Sequence, residues 1–270
     1  MSTDRLYRIE GIVIRRRDQG DADRVLTLCA PSGKVEVIVK GARKTRSRKA
    51  GHVELFTRSH FVVSRVKNSW DIVSQAEMVD AHQVLRSDLL RGTYARYAVE
   101  LLDRFFAQGE GGRALCELLD HTLTWLCEDD DLDLVARFYE QQLLGLAGFR
   151  PELYACVGEH SGRVSLALEE AAEAGTPYGF DPERGGALCR ACFAERSPKQ
   201  GIVPLSPEGL GFLQACQRGP YSRLRGQPIA TALHDEAERV MQHYITYHLE
   251  RSVRSSAFLR QLKREKGVSA

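Results

Sequence analysis

Two cysteines three positions apart, Cys189 and Cys192, have the spacing in this chain that points most clearly to chemistry. Cys-x2-Cys presents two thiolates that one tetrahedral metal ion can take together, and the preceding turn Gly185-Gly186 lets the chain fold back on such an ion. A closed structural site needs four ligands. Cys156 is the third candidate, and His160, in a Cys-x3-His spacing, is the fourth. Glu159 is a weaker oxygen donor for that place, and a metal-free loop is the alternative to the whole set. The metal expected is zinc in a structural role. A zinc deaminase would carry His-x-Glu or Cys-x-Glu and then Pro-Cys-x-x-Cys. Here Glu159 lies three residues after Cys156, and Leu188 precedes Cys189.

The second chemistry is charge. Residues 1–67 hold 16 Lys plus Arg against 7 Asp plus Glu, a net of +9 that leaves −7 for the remainder and hides within an overall +2. Such segregation sets up a field that attracts polyanions to one end of the molecule. The candidate phosphate contacts are Arg15, Arg16, Arg17, Lys34, Lys40, Arg43, Lys44, Arg46, Arg48 and Lys49. Five of them fall within Arg43–Lys49, a stretch with no acidic partner. Lys44-Thr45 lacks the glycines of a phosphate-binding loop. The alternative is a loop that serves solubility alone.

Other candidates fall to plainer readings. Asp21 and Asp23 read as turn formers. His234, His243 and His248 do not share the i, i+4 face of an HExxH helix. Cys29, Cys116, Cys127 and Cys216 sit in apolar surroundings, where cysteine acts as a small hydrophobe. With no serine elbow, dinucleotide fingerprint or paired catalytic carboxylate, the chain does not read as an enzyme.

These residues need elements to hold them. Strand periodicity covers residues 5–17, Arg24 to Ala30, Lys34 to Lys40, Val53 to Val66 and Trp70 to Val79. Five strands in about 80 residues fit a partly open barrel of the oligonucleotide-binding type, although an SH3-like barrel would give a similar string. From Asp88 the period becomes helical. Helices are expected over about 89–106, 115–126 and 134–144, again from Ser206-Pro207 to Gly219, and as one long stretch from Ile229 to about Lys263. Val164 to Ala174 reads as an alanine-rich helical insertion. The fold class expected is α+β and multi-domain: a five-stranded OB-fold barrel over 1–80, a helical bundle body over 81–150 and 205–265, and a zinc-finger-like insertion over 151–204. No apolar run is long enough to span a membrane and no signal peptide opens the chain, so a cytoplasmic protein without disulfides is expected.

The stretch Glu10 to Arg48 (EGIVIRRRDQGDADRVLTLCAPSGKVEVIVKGARKTRSR) resembles the RecO family of bacterial recombination mediators. So do GLAGFRPEL at 145–153, GFDPERGGALCRAC at 179–192 and RSSAFLRQL at 254–262. The resemblance implies an N-terminal OB-fold, a helical body and a zinc-finger-like insertion. It also implies a function: binding single- and double-stranded DNA, annealing complementary strands and, with RecR, helping RecA displace single-strand-binding protein. The acidic tail of that protein would be a docking partner, the RecA filament an indirect one, and the location the nucleoid. One departure stands out. Zinc-bearing members generally show a first Cys-x2-Cys, and here Glu159 stands where its second cysteine would be. A protein-interaction adaptor built on a small barrel is the competing function.

Overall fold

The computed structural model describes residues 6–44, 49–166, 177–196, 201–250 and 253–266. Alternation along the first strands has its expected effect: Val13, Leu26, Leu28, Val37, Val39, Phe61, Val63 and Val73 point inward and form one buried cluster. The strands are β1 (Leu6–Gln19), β2 (Asp23–Ala30), β3 (Gly33–Val39), β4 (Arg58–Ser64) and β5 (Asp71–Asp80). They close in the order β1-β2-β3-β5-β4, with β1 paired to both β2 and β4 and with β3 parallel to β5. This is the five-stranded Greek-key OB barrel, and the parallel β3–β5 pair decides what periodicity left open.

The strand expected from Val53 starts later, at Arg58. Ala50–Val53 is instead a 3-10 turn, and Phe56 takes a left-handed backbone (φ 69°). Val53 and Phe56 are buried as a plug: Val53 joins the barrel cluster, and the Phe56 N–H donates to the Val13 carbonyl at 2.9 Å. Their apolar character comes from that plug and not from a ladder. Arg46 and Arg48 lie outside the described residues, as does the expected helical insertion beyond Leu166. Its first residues are extended: Ser165 bridges Ala155.

The helices begin with α1 (Val84–Ser87), α2 (Leu89–Phe105) and α3 (Arg113–Glu128). Asp88 caps α2, its carboxylate accepting from the Arg91 N–H at 2.9 Å. Contacts divide the chain into Met1–Asp130 and Asp131–Ala270. Thus α2 and α3 belong with the barrel and not with a separate helical body. The reason lies on the outside of β1 and β2, where Ile12 and Cys29 are buried and need cover. Cys29 Sγ meets Cys116 Sγ of α3 at 2.9 Å, and the β3 residue Lys34 exchanges backbone hydrogen bonds with Gly109 and Glu110.

The second unit contains α4 (Leu132–Leu146), β6 (Tyr178–Asp181), β7 (Gly186–Leu188), α5 (Arg190–Glu195), β8 (Val203–Leu205), α6 (Pro207–Arg218), α7 (Tyr221–Leu224), α8 (Thr231–Leu249) and α9 (Arg254–Lys266). Leu143, Leu144, Leu210, Leu213, Val240 and Met241 of α4, α6 and α8 are fully buried. The three short strands form a sheet in the order β7-β6-β8. The long helix expected from Ile229 is two helices, because α8 ends on Glu250 in a left-handed conformation (φ 52°). Among the described residues no helix is long and apolar enough to cross a membrane.

Candidate metal centre and cationic barrel face

Cys189 stands at the N-cap of α5 and Cys192 in its first turn, so the helix presents both thiols on one side. Opposite them the segment after Leu153 runs alongside β7: Val157 N–H donates to Ala187 O at 2.9 Å, and the Glu152 backbone bridges Gly186. Cys156 and His160 are thereby brought to the same point. One ligand atom from each of Cys156, His160, Cys189 and Cys192 lies within 4.8 Å of all the others. His160 Nε2 is 3.3 Å from Cys192 Sγ and 3.6 Å from Cys189 Sγ. A tetrahedral zinc with Zn–S bonds of about 2.3 Å spaces its sulfurs about 3.8 Å apart, a distance these positions can meet.

The surroundings suit a thiolate–metal centre. Cys156 Sγ accepts hydrogen bonds from the N–H groups of Cys189 at 3.1 Å and Gly158 at 3.3 Å. Gly158 is needed for closeness, since a Cβ there would stand 2.4 Å from Cys192 Sγ and 3.2 Å from Cys156 Sγ. Burial first, then the hydrogen bond to Cys189 and the neighbouring thiols, pushes the Cys192 thiol up to about 12. A divalent metal among the three sulfurs would supply the positive charge that thiolate ligands need. Three sulfurs and one imidazole form a donor set suited to zinc, which would cross-link the start of α5 to the 152–160 segment. Glu159, the oxygen alternative, is turned to Arg184 at 2.6 Å, whose guanidinium holds its carboxyl below the usual range. It is not part of the cluster.

On the barrel, a register shift between Val13 and Arg15 decides where the arginines go. Strict alternation from Val13 would turn Arg15 inward. The extra residue sets Arg15 opposite Thr27 and Arg17 opposite Val25, on the outer face, and Arg15 to Arg17 are all exposed. Arg15 and Arg17 have loose acidic neighbours, Asp103 at 3.5 Å and Glu36 at 4.0 Å, while Arg16 pairs closely with Glu54. Lys40 reaches Asp23 at 2.7 Å. Its ammonium, followed by the Gly41 N–H, holds the Asp23 carboxyl below its ordinary range. Arg43 meets Asp18 at 3.3 Å, and Lys49 donates to the Val73 carbonyl at 2.8 Å. Lys44 is exposed and takes part in none of the ion pairs found among the described residues. Exposed pairs of this kind are worth at most about 1 kcal/mol, so a phosphate can replace the carboxylates.

Two matches cover most of the chain. The family model described as Recombination protein O N terminal fits residues 1–82, and Recombination protein O C terminal fits 86–257. The chain belongs to the RecO family. Its relatives named DNA repair protein RecO include one from Roseiflexus sp. (strain RS-1), 37% identical over 256 residues, which cover 95% of this chain and 86% of the relative. The relative from Symbiobacterium thermophilum is 35% identical, covering 96% and 98% of the two chains, and that from Desulforamulus reducens is 31% identical, covering 96% and 95%.

Within this RecO-family barrel the cation set read from sequence needs one correction. Lys34 is nearly buried (side chain 11% exposed), its ammonium held by the Asp103 carboxylate at 2.9 Å and the Asp103 carbonyl at 2.8 Å. It anchors α2 and does not face a ligand. Sequence reading also passed over three residues in the connection between β4 and β5. Arg65 lies over the Tyr7 ring at 5.3 Å, Lys67 is exposed, and Arg17 sits 4.8 Å over the half-exposed Trp70. That connection and the β2–β3 face are where OB barrels meet oligonucleotides, and cations interleaved with an aromatic are suited to phosphates and bases together. The signal was present as Arg-x-Lys-x-x-Trp over 65–70, split between the two expected strands that end at Val66 and begin at Trp70.

Proposed function

We propose that this chain is a non-enzymatic DNA repair and recombination mediator whose barrel holds single- and double-stranded DNA. The observation that carries the reading is the set of exposed cations on an OB barrel, Arg15 to Arg17, Lys40, Arg43 and Lys44, with Arg17 lying over Trp70. Arg46 and Arg48 join that set from the sequence. Phosphate contacts of this kind give sequence-independent affinity, while Trp70 offers a base a stacking surface. Cations that neutralise two strands at once lower the repulsion between them, which is the physical basis for annealing.

With RecR, the protein would help load RecA onto strands coated by single-strand-binding protein, whose acidic tail would dock on it. Family membership and the relatives' printed name support this reading. It would act in the cytoplasm, at the nucleoid. Zinc bound by Cys156, His160, Cys189 and Cys192 would be structural. Charge reversal of Arg43, Lys44, Arg46 and Arg48 to Glu should weaken binding of a fluorescent oligonucleotide to the barrel at least tenfold at moderate salt. Unchanged affinity would favour an adaptor whose basic loop is incidental.

A further inference from the structure

The barrel is not the only cationic surface. Residues 131–270 hold 17 Lys plus Arg and 17 Asp plus Glu, yet the last 13-residue helix, α9, holds five cations and the single acid Glu265. Beside it, α8 and α9 line a cleft of about 500 Å³. All ten lining residues are polar or charged, and Arg239, His243, Arg260 and Arg264 among them are exposed.

How the cleft is built explains why its arginines face outward. The nearly buried Lys263 is clamped between Asp133 of α4 and Glu238 of α8, the latter at 2.6 Å. That clamp fixes the rotation of α9. Arg260, three residues earlier, and Arg264, one later, then border the cleft, with Arg260 only 3.5 Å from Gln242 Oε1. Across from them α8 contributes Arg239, His243 and Thr246, spaced about one turn apart on one face. Glu238 is engaged by Lys263, which leaves Asp235 as the acid lining the cleft that faces three arginines.

We infer that the α8–α9 cleft is a second polyanion site, taking the phosphate backbone of a nucleic-acid strand. The choice of nucleic acid rests on the barrel reading, but the site itself does not. Guanidinium groups suit phosphates because their fork is planar and bidentate. An acidic peptide is the competing occupant, which the competition below separates from a nucleic-acid strand. One chain then carries a strand site in each unit.

The test uses the full-length protein with a photoreactive single-stranded oligonucleotide. Titration should show two oligonucleotides per chain, with cross-links to peptides containing Arg239 and Arg260 as well as to the barrel. Substituting Arg239→Gln, Arg260→Gln and Arg264→Gln together should weaken the second binding event at least tenfold and leave the first in place. A barrel carrying Arg43→Glu and Lys44→Glu should do the reverse, so failure of the barrel reading and failure of this one give different results. Cross-links confined to the barrel in the unsubstituted protein, a step that needs no variant to fold, would overturn the inference. So would competition at the cleft by an acidic peptide but not by the oligonucleotide.

Discussion

Gly158 shows how finely the Cys/His cluster depends on a residue that is not among its donors. Its missing Cβ makes room for Cys192 Sγ, and its N–H supports Cys156 Sγ. Gly158→Ala should therefore lower metal affinity by at least about tenfold, as changes beside ligands typically do. Cobalt substitution followed by thiolate charge-transfer absorption would measure it. Undiminished affinity would mean that the four side chains do not close on one ion. At this scale the sequence was legible where a residue type has few uses: Cys-x2-Cys announced itself, and His160 joined it one residue beyond the usual spacing. Lys34 was not legible, because a lysine held by Asp103 looks in sequence like a lysine facing a phosphate.

Among the elements, α6 was read correctly from its start, because Ser206-Pro207 is a local signal with a local cause. Ser206 Oγ accepts from the Gly209 N–H at 2.9 Å. Sequence could not show its other bond, which it donates to Glu236 of α8 at 2.5 Å. Ser206→Ala should cost about 1 kcal/mol, seen as a lower urea midpoint with an unchanged slope. No shift would mean that neither bond matters to stability. The break between α8 and α9 escaped notice for the opposite reason. Amphipathic spacing continues through it, and nothing in residue type alone marks Glu250 as left-handed. The plug formed by Val53 and Phe56 was likewise read as strand, since a short apolar run looks the same whether it lies on a ladder or fills a barrel mouth.

Across the whole molecule, charge was legible as a segregation and blurred in its detail. The −7 assigned to everything after residue 67 is confined to residues 68–130, which hold 5 Lys plus Arg and 12 Asp plus Glu; the second unit is neutral with a basic end. Division at Asp130 was beyond sequence reading, because α2 and α3 show ordinary amphipathic patterns and nothing in a pattern names the surface it covers. The central claim is that the barrel cations hold a phosphate backbone. It is tested most directly by the salt dependence of binding to a single-stranded oligonucleotide of about 20 residues, a length suited to OB-barrel site sizes. Neutralising four or more phosphates should give a log–log slope of about −3 or steeper, made shallower by reversal of Arg43, Lys44, Arg46 and Arg48 to Glu. A slope near zero, or one that the reversal leaves unchanged, would contradict it.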